Sequence, residues 1–174
     1  FKRAKGESDA MGISFTADDM FASAETIERN GAAFYRHAAN LHGCKKDKNF
    51  LLKLAAMEDG HQAVFAAARA KLSARERATN VYDPDNEASM YLSTMADLHP
   101  GEGNAAARDL LNGRESLMDI IAIAIELERK SILFYDGLRE YVTGRKDQQF
   151  IDRIIGEEKK HIVALSKELH KLRR

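Results

Sequence analysis

Apolar side chains recur every three to four residues along four long stretches of the chain, which is the spacing of one face of an α-helix. The same stretches are rich in Ala, Leu, Glu, Lys and Arg, residue types that favour helices. Both prolines of the chain, Pro84 and Pro100, lie between the second and third stretch. The pattern predicts four amphipathic helices, at about 16–41, 47–73, 116–142 and 147–172.

The start of each predicted helix carries a capping signal. Thr16 and Ser116 are each followed three residues later by an aspartate, a variant of the capping box in which Asp stands for Glu. Asp47 and Asp147 are expected to cap the second and fourth helices, each just after a turn that contains glycine. Together these signals support four separate helices.

The second half of the chain repeats the first. The stretch IERNGAAFYRHA begins at Ile27 and LERKSILFYDGL begins at Leu127, one hundred positions later, with Glu, Arg and Phe-Tyr at matching places. A repeat of two helices is an αα-hairpin, so the chain is predicted to contain two αα-hairpins. Further identical residues at this offset are Ala24 and Ala124, Asp47 and Asp147, Phe50 and Phe150, Glu58 and Glu158, His61 and His161, and Leu72 and Leu172.

A connection of about forty residues, 74–115, separates the two hairpins. Such length is unusual between neighbouring antiparallel helices, but a four-helix bundle with one long crossover requires it. Met90 and Tyr91 lie in a segment of the crossover that is expected to form a short helix. The prediction is an all-α four-helix bundle domain over 16–174, preceded by a mobile tail over 1–15.

Composition narrows the possible partners. The 27 basic and 27 acidic side chains cancel, so nothing argues for nucleic acid or an anionic membrane as a partner. The longest apolar runs, 63–68 and 120–125, are too short to cross a bilayer. Cys44 is the single cysteine, which excludes an internal disulfide and a Cys-rich metal module within these residues. With no signal peptide visible, a cytoplasmic location is expected.

Two Glu-x-x-His sequences carry the candidate chemistry. One joins Glu58 to His61 and the other joins Glu158 to His161. Residues three apart on a helix point in similar directions, so an oxygen and an imidazole of one motif can bind the same metal ion. A single such motif is more often a solvated helix face, but two motifs in matching repeats favour a metal site.

Another glutamate lies level with each motif. From Glu28 the chain climbs roughly 20 Å to the end of its helix, and it descends roughly 17 Å from the next helix start to Glu58, at about 1.5 Å per residue. Glu128 and Glu158 have the same spacing in the second hairpin. If the hairpins pack with pseudo-two-fold symmetry, four carboxylates and two imidazoles meet at the centre of the bundle.

Four buried carboxylates repel one another and resist loss of water unless counter-charges are present. Two divalent cations would supply those charges. Carboxylate oxygen and imidazole nitrogen without thiolate favour iron or manganese, and zinc also binds such ligands. The sequence therefore predicts a dinuclear metal site.

One Glu on a first helix and Glu-x-x-His on a second, twice over, resembles the ferritin-like di-iron carboxylate proteins. Tyr35 and Tyr135, each seven residues after a predicted ligand, are similar to the rubrerythrin branch. The likeness covers about 16–172 without most of the crossover. It implies two iron ions that are bridged by Glu58 and Glu158. Glu28 and Glu128 would be terminal ligands, and His61 and His161 would each bind one of the ions.

The chain departs from rubrerythrins in lacking residues for a Cys-rich rubredoxin domain. Ser131 also stands where rubrerythrins carry an additional glutamate, with Gly31 as its repeat mate, which makes the predicted ligand set similar to that of bacterioferritin. Two interpretations of these small residues stay open: space for oxygen or peroxide, and close helix packing. Tyr35 and Tyr135 either support the ligands or simply pack in the core. Glu157, adjacent to a predicted ligand, is expected to point elsewhere.

The resemblance implies a di-iron oxidoreductase of rubrerythrin-like type, a peroxidase or oxidase that reduces H₂O₂ or O₂. Its electrons would come from an external donor such as a rubredoxin-like protein or a flavoprotein. A ferroxidase or iron-storage protein of the ferritin-like class is the first alternative, and a helical interaction module with a structural metal is the second. A homo-oligomer, such as a dimer, is expected.

Overall fold

The computed structural model describes residues 16–41, 44–78, 87, 90–91, 94, 110–142 and 144–174. The predicted tail 1–15 and much of the crossover lie outside these residues. The described chain forms four long helices and one short helix: α1 (Ala17–Leu41), α2 (Lys45–Ala70), α3 (Ala74–Ala78), α4 (Leu117–Tyr141) and α5 (Arg145–Leu172).

The two predicted capping boxes are present at the starts of α1 and α4. The backbone N–H of Asp19 donates to Oγ1 of Thr16 at 3.1 Å, and the Thr16 N–H donates back to the Asp19 carboxylate at 3.0 Å. Ser116 and Asp119 make the same pair of bonds at 3.2 and 2.9 Å. Each box satisfies two N–H groups that a helix start would otherwise leave without partners.

The predicted caps of α2 and α5 were wrong, because both helices begin two residues earlier than expected. Cys44 and Gly144 occupy the N-cap positions, and neither supplies a side-chain cap. Asp47 therefore lies inside the first turn of α2, where its negative charge still favours the helix N-terminus. Likewise, the backbone places Asp147 within α5 rather than at its N-cap.

The four long helices form a bundle of two hairpins, as the sequence predicted. α1 packs along α2 and α4 packs along α5, while α1 meets α4 and α2 meets α5 across the bundle. The all-α fold with two αα-hairpins and a long crossover is confirmed. Within the described part of the chain, no helix combines the length and apolar character needed to cross a membrane.

The bundle core consists of two apolar clusters separated along the helix axes. Every long helix contributes to both clusters, and the residues that lie between its two contributions are the predicted ligands. Burial of these clusters supplies the hydrophobic stabilisation that holds the polar layer away from water. The first cluster includes Phe34, Leu51, Leu54, Ile120, Ile121 and Leu165, and the second includes Phe21, Phe65, Phe134, Leu138, Ile151 and Ile154.

The crossover is fastened to α4 through Tyr91. Its hydroxyl donates to the carbonyl oxygen of Leu133 at 2.9 Å. Its ring lies against the backbone of Gly137, where a Cβ would overlap Cε1 of the ring and lie 3.0 Å from Cδ1. Tyr91 and the described crossover positions 87, 90 and 94 are helical, in agreement with the short helix expected there. A residue without a side chain at position 137 thus allows the crossover to pack on the bundle.

Substituting Gly137→Ala should displace the Tyr91 ring and destabilise the protein by about 1–3 kcal/mol, the usual cost of overpacking. Gly60→Ala is the matched control, because a Cβ there meets nothing within 4 Å. An exposed helical glycine replaced by alanine should stabilise by about 0.5–1 kcal/mol. Denaturant unfolding measures both; changes of the same sign and size would show that Tyr91 does not occupy this space.

Candidate dinuclear metal site

All six predicted ligand side chains are buried and lie at one level of the bundle. α1 and α4 each contribute one glutamate, and α2 and α5 each contribute a glutamate and a histidine, all from positions between the two apolar clusters. Such burial is unusual for glutamate and histidine, which are seldom removed from water unless they are paired or bind a metal. The six side chains and their exposed fractions are Glu28 1%, Glu58 4%, His61 4%, Glu128 4%, Glu158 0% and His161 1%.

These side chains form two overlapping sets, in each of which four candidate ligand atoms lie within 4.8 Å of one another. We define the first position by Glu28, Glu58, His61 and Glu158. The second position is defined by Glu58, Glu128, Glu158 and His161. Glu58 and Glu158 belong to both sets, so the geometry offers two adjacent cation positions that share two carboxylates.

Both imidazoles present Nδ1 to the carboxylates. Nδ1 of His61 lies 2.8 Å from a Glu158 oxygen and 3.3 Å from Glu28. Nδ1 of His161 lies 3.0 Å from Glu158 and 3.1 Å from Glu58. The two rings stack with their centres 5.4 Å apart.

These close contacts lack the direction of hydrogen bonds. Nδ1 of both histidines and oxygens of Glu28, Glu58 and Glu158 have no hydrogen-bond partner among the described residues. Buried polar atoms are normally satisfied, because leaving one without a partner costs free energy. Converging ligand atoms without hydrogen-bond partners are what a shared cation requires.

Two tyrosines tie the hairpins together at the site. Tyr35 donates its hydroxyl proton to Glu128 at 2.5 Å, and Tyr135 donates to Glu28. Each tyrosine thus holds the glutamate of the opposite hairpin, since α1 and α4 run antiparallel with these residues in register. Both tyrosines are also buried in the apolar clusters. Packing in the core and support of a carboxylate, the two interpretations left open by the sequence, therefore occur together.

Glu157 has a contact that the sequence analysis missed. Its Oε2 lies 2.8 Å from Nε2 of His61, on the side of the ring opposite to the carboxylate cluster. A carboxylate only accepts, so the His61 Nε2–H donates this bond. As expected, Glu157 points away from the carboxylate cluster, and its side chain is about half exposed, yet it reaches the far side of the His61 ring across the contact between α5 and α2.

Burial raises the pKa of Glu28 and Glu128 well above the usual value, and repulsion from Glu58 adds to the shift at both. The contacts of His61 with Glu28 and of His161 with Glu128 lower these pKa values, but they offset the rise only in part. Burial likewise raises the pKa of Tyr35 and Tyr135, with the charge of the bonded glutamate adding to it. Both tyrosines therefore stay protonated and able to donate at neutral pH.

The shared carboxylates behave differently. Burial alone would raise the pKa of Glu158, yet close contacts with His161 and His61 outweigh it and lower the pKa to about 2. The pKa of Glu58 is lowered for the same reason. Burial opposes a charge on His161, but Glu128 and Glu158 raise its pKa to about 12, and the pKa of His61 is also raised. Imidazolium protons thus balance the shared carboxylates in the protein alone, and a bound cation would displace them.

A cavity of about 20 Å³ adjoins the site on the side of α1 and α4. Glu58, Glu128 and Tyr35 line it together with Gly31 and Ser131. Its volume holds about one water molecule. A Cβ at Gly31 would lie 3.4 Å from Cγ of Glu58, which is an ordinary van der Waals contact. A small cavity thus adjoins the two small residues, and the space at Gly31 would also admit an alanine.

Comparison with solved structures supports the fold. A crystal structure of a Thermotoga maritima protein, assigned provisionally to the ferritin-like diiron-carboxylate proteins, aligns with a TM-score of 0.68 at 21% sequence identity. The alignment covers 90% of this chain and 96% of that chain. The bundle therefore has the ferritin-like fold. No family model matches the sequence, and no curated protein matches it significantly.

Removing either buried tyrosine hydroxyl should destabilise the metal-free protein. Tyr35→Phe takes the donor from Glu128, and Tyr135→Phe takes it from Glu28. Because a buried carboxyl then loses its partner, we expect a loss of about 1–3 kcal/mol in the free energy of unfolding for each variant.

Tyr91→Phe is the control, since the Tyr91 hydroxyl bonds a backbone carbonyl in an exposed setting. Its change should stay within about 0.5 kcal/mol. Urea unfolding compares the three variants. Equal changes in the free energy of unfolding of all three variants would show that the two buried tyrosine–glutamate bonds contribute no more stability than the exposed bond of Tyr91.

Proposed function

We propose that this protein binds two metal ions, iron in its working form with manganese or zinc as alternatives, and uses them as a di-iron oxidoreductase of rubrerythrin-like type. Glu58 and Glu158 would bridge the ions. Glu28 and His61 would complete the first position, and Glu128 and His161 the second.

The observation that carries this proposal is the unsatisfied donor set. Six ligating side chains converge in a buried layer. They form two sets of four, and the carboxylates of Glu58 and Glu158 belong to both sets. A layer of this kind adds little stability by itself, because several of its polar atoms lack hydrogen-bond partners among the described residues. Two divalent cations offset the carboxylate charge and use those lone pairs.

When bound, a pair of ferrous ions supplies the two electrons that reduce H₂O₂ to two waters with two protons, or that reduce O₂ to the peroxide level. The chain's own residues set the conditions. The apolar clusters on either side keep bulk water from the layer, and Tyr35 and Tyr135 fix the carboxylates of Glu128 and Glu28. The cavity beside Glu58 and Glu128 holds about one water-sized molecule and marks the side from which a small oxidant would approach the ions.

A ferroxidase or iron-handling role is the second candidate, and the orientation of Ser131 favours it. The Ser131 hydroxyl donates to the backbone carbonyl of Leu127 at 3.2 Å, a bond within its own helix. No fifth carboxylate stands at this position, so the set of four carboxylates and two imidazoles resembles that of iron-oxidising bundles rather than that of rubrerythrins.

Several features of the proposal follow from the resemblance and from composition. An external electron donor, a rubredoxin-like protein or a flavoprotein, would restore the reduced ions. A homo-oligomer in the cytoplasm is the expected setting, in keeping with an exposed free thiol at Cys44.

The double substitution Glu158→Ala, His161→Ala should abolish metal binding while the chain stays helical. It removes one shared carboxylate and one imidazole but leaves both apolar clusters in place. Metal analysis after reconstitution should find about two ions per wild-type chain. The free energy of unfolding should also rise with metal, by about 4 kcal/mol for each site when free metal is a thousandfold above its Kd.

The control removes the same residue types from exposed positions, as Glu126→Ala, His170→Ala. It should keep both ions and the thermal shift. Circular dichroism verifies the helices of each variant. Two ions retained in the Glu158, His161 variant would remove these residues from the ligand set and contradict the proposal.

Turnover separates the two candidate functions. Iron-loaded protein with an added reductant should consume H₂O₂ repeatedly, with two electrons taken from the reductant per peroxide. The double variant above should lose this activity by at least about a hundredfold. A hollow assembly of many subunits that oxidises Fe²⁺ and accumulates iron well beyond two ions per chain, without peroxide turnover, would favour the ferroxidase and contradict the oxidoreductase.

A further inference from the structure

We propose that the two metal positions are unequal, and that Glu157 is the positioning residue that makes the first position bind metal more tightly. This inference rests on the proposed function. It concerns the order in which the positions fill, which the repeat symmetry alone would leave equal.

The asymmetry arises at one pair of repeat mates. His61 on α2 contacts Glu157 on α5, four residues before His161. The pseudo-two-fold axis relates His61 to His161 and Glu157 to position 57. The equivalent of the His61–Glu157 pair is therefore His161 with position 57, which lies four residues before His61. That position is Met57, whose thioether is at most a weak acceptor. The repeat therefore supplies a carboxylate behind one imidazole and none behind the other.

The hydrogen bonds follow this difference. Nε2 of His61 lies 2.8 Å from Glu157 Oε2. Nε2 of His161 is buried and has no partner among the described residues. The ring of His61 is therefore fixed from both sides, by the carboxylate cluster at Nδ1 and by Glu157 at Nε2. Within the described part of the chain, the ring of His161 is fixed at Nδ1 and by packing, without a partner at Nε2.

A carboxylate behind a ligating imidazole strengthens metal binding in two ways. It fixes the ring orientation and the tautomer, so that Nδ1 carries the lone pair, and it makes the imidazole a better donor. Losing such a partner typically weakens metal affinity by about 10–100-fold. The first position has this support, and the second position does not.

The surroundings of the two positions also differ. The small cavity is lined by Glu128 and Tyr35, which belong to the second position and its supporting bond. Glu28 and Tyr135 do not line it. An open cleft on the opposite side reaches His61 and Glu157, so the tighter hold on the first ion rests on the contact between these two residues. The second ion, next to the cavity, lacks such a contact and exchanges more readily.

The experiment titrates metal-free protein with Co²⁺ alone and follows its visible absorption. The wild type should bind two ions in two resolved steps. His161→Ala is used to weaken the second position and His61→Ala to weaken the first, so that each position can be followed by itself. Circular dichroism establishes that every variant keeps its helices.

Glu157→Met, which copies the residue of the other repeat, should weaken Co²⁺ binding about 10–100-fold in the His161→Ala background. In the His61→Ala background it should change the affinity by less than about threefold, because its partner is gone. The reverse substitution, Met57→Glu, should tighten binding in the His61→Ala background. In an otherwise wild-type chain, the exchange of both residues should reverse the filling order.

Equal effects of Glu157→Met in the two backgrounds, or no effect in either, would overturn the inference while leaving the proposed metal site intact. So would two indistinguishable binding steps in the wild type. Failure of the wild type to bind Co²⁺ at all would instead overturn the proposed function itself, and this inference with it.

Discussion

The structure depends on one constraint: four carboxylates and two imidazoles are buried in the middle of an apolar bundle. In water these groups would be individually solvated, and in the bundle they contact mainly one another. The carboxylates raise the pKa of both imidazoles, and several polar atoms of the layer have no hydrogen-bond partner among the described residues. The bundle stays folded because two hydrophobic clusters, one on each side of the polar layer, stabilise the helices that contain these residues. Such a costly layer makes physical sense when its lone pairs bind cations.

Sequence duplication explains the symmetry of the layer, and divergence explains its asymmetry. Tyr35 and Tyr135 preserve the symmetry, since each holds a glutamate of the opposite hairpin. Glu157 breaks it, because Met57 cannot make the equivalent bond. One pair of diverged repeat mates is thus enough to give two adjacent cation positions different affinities, while the ligand residues themselves remain paired.

Much of the fold and the level of the site could be predicted from the sequence, because helical period and repeat offset are local properties. Glu28 and Glu58 were placed at the same height by counting residues, and the structure brings them together. What could not be predicted depends on how helices face one another. The contact of Glu157 requires knowing which side of α5 meets α2, and the packing of Tyr91 on Gly137 requires the path of the crossover. The starts of α2 and α5 were misplaced because no side chain marks them.

The most direct test of the account is the anomalous scattering of crystals grown with Mn²⁺. We expect two peaks per chain inside the bundle, both within bonding distance of Glu58 and Glu158, with His61 on one ion and His161 on the other. Peaks confined to surface carboxylates, with the six buried side chains bonded only to each other, would contradict it.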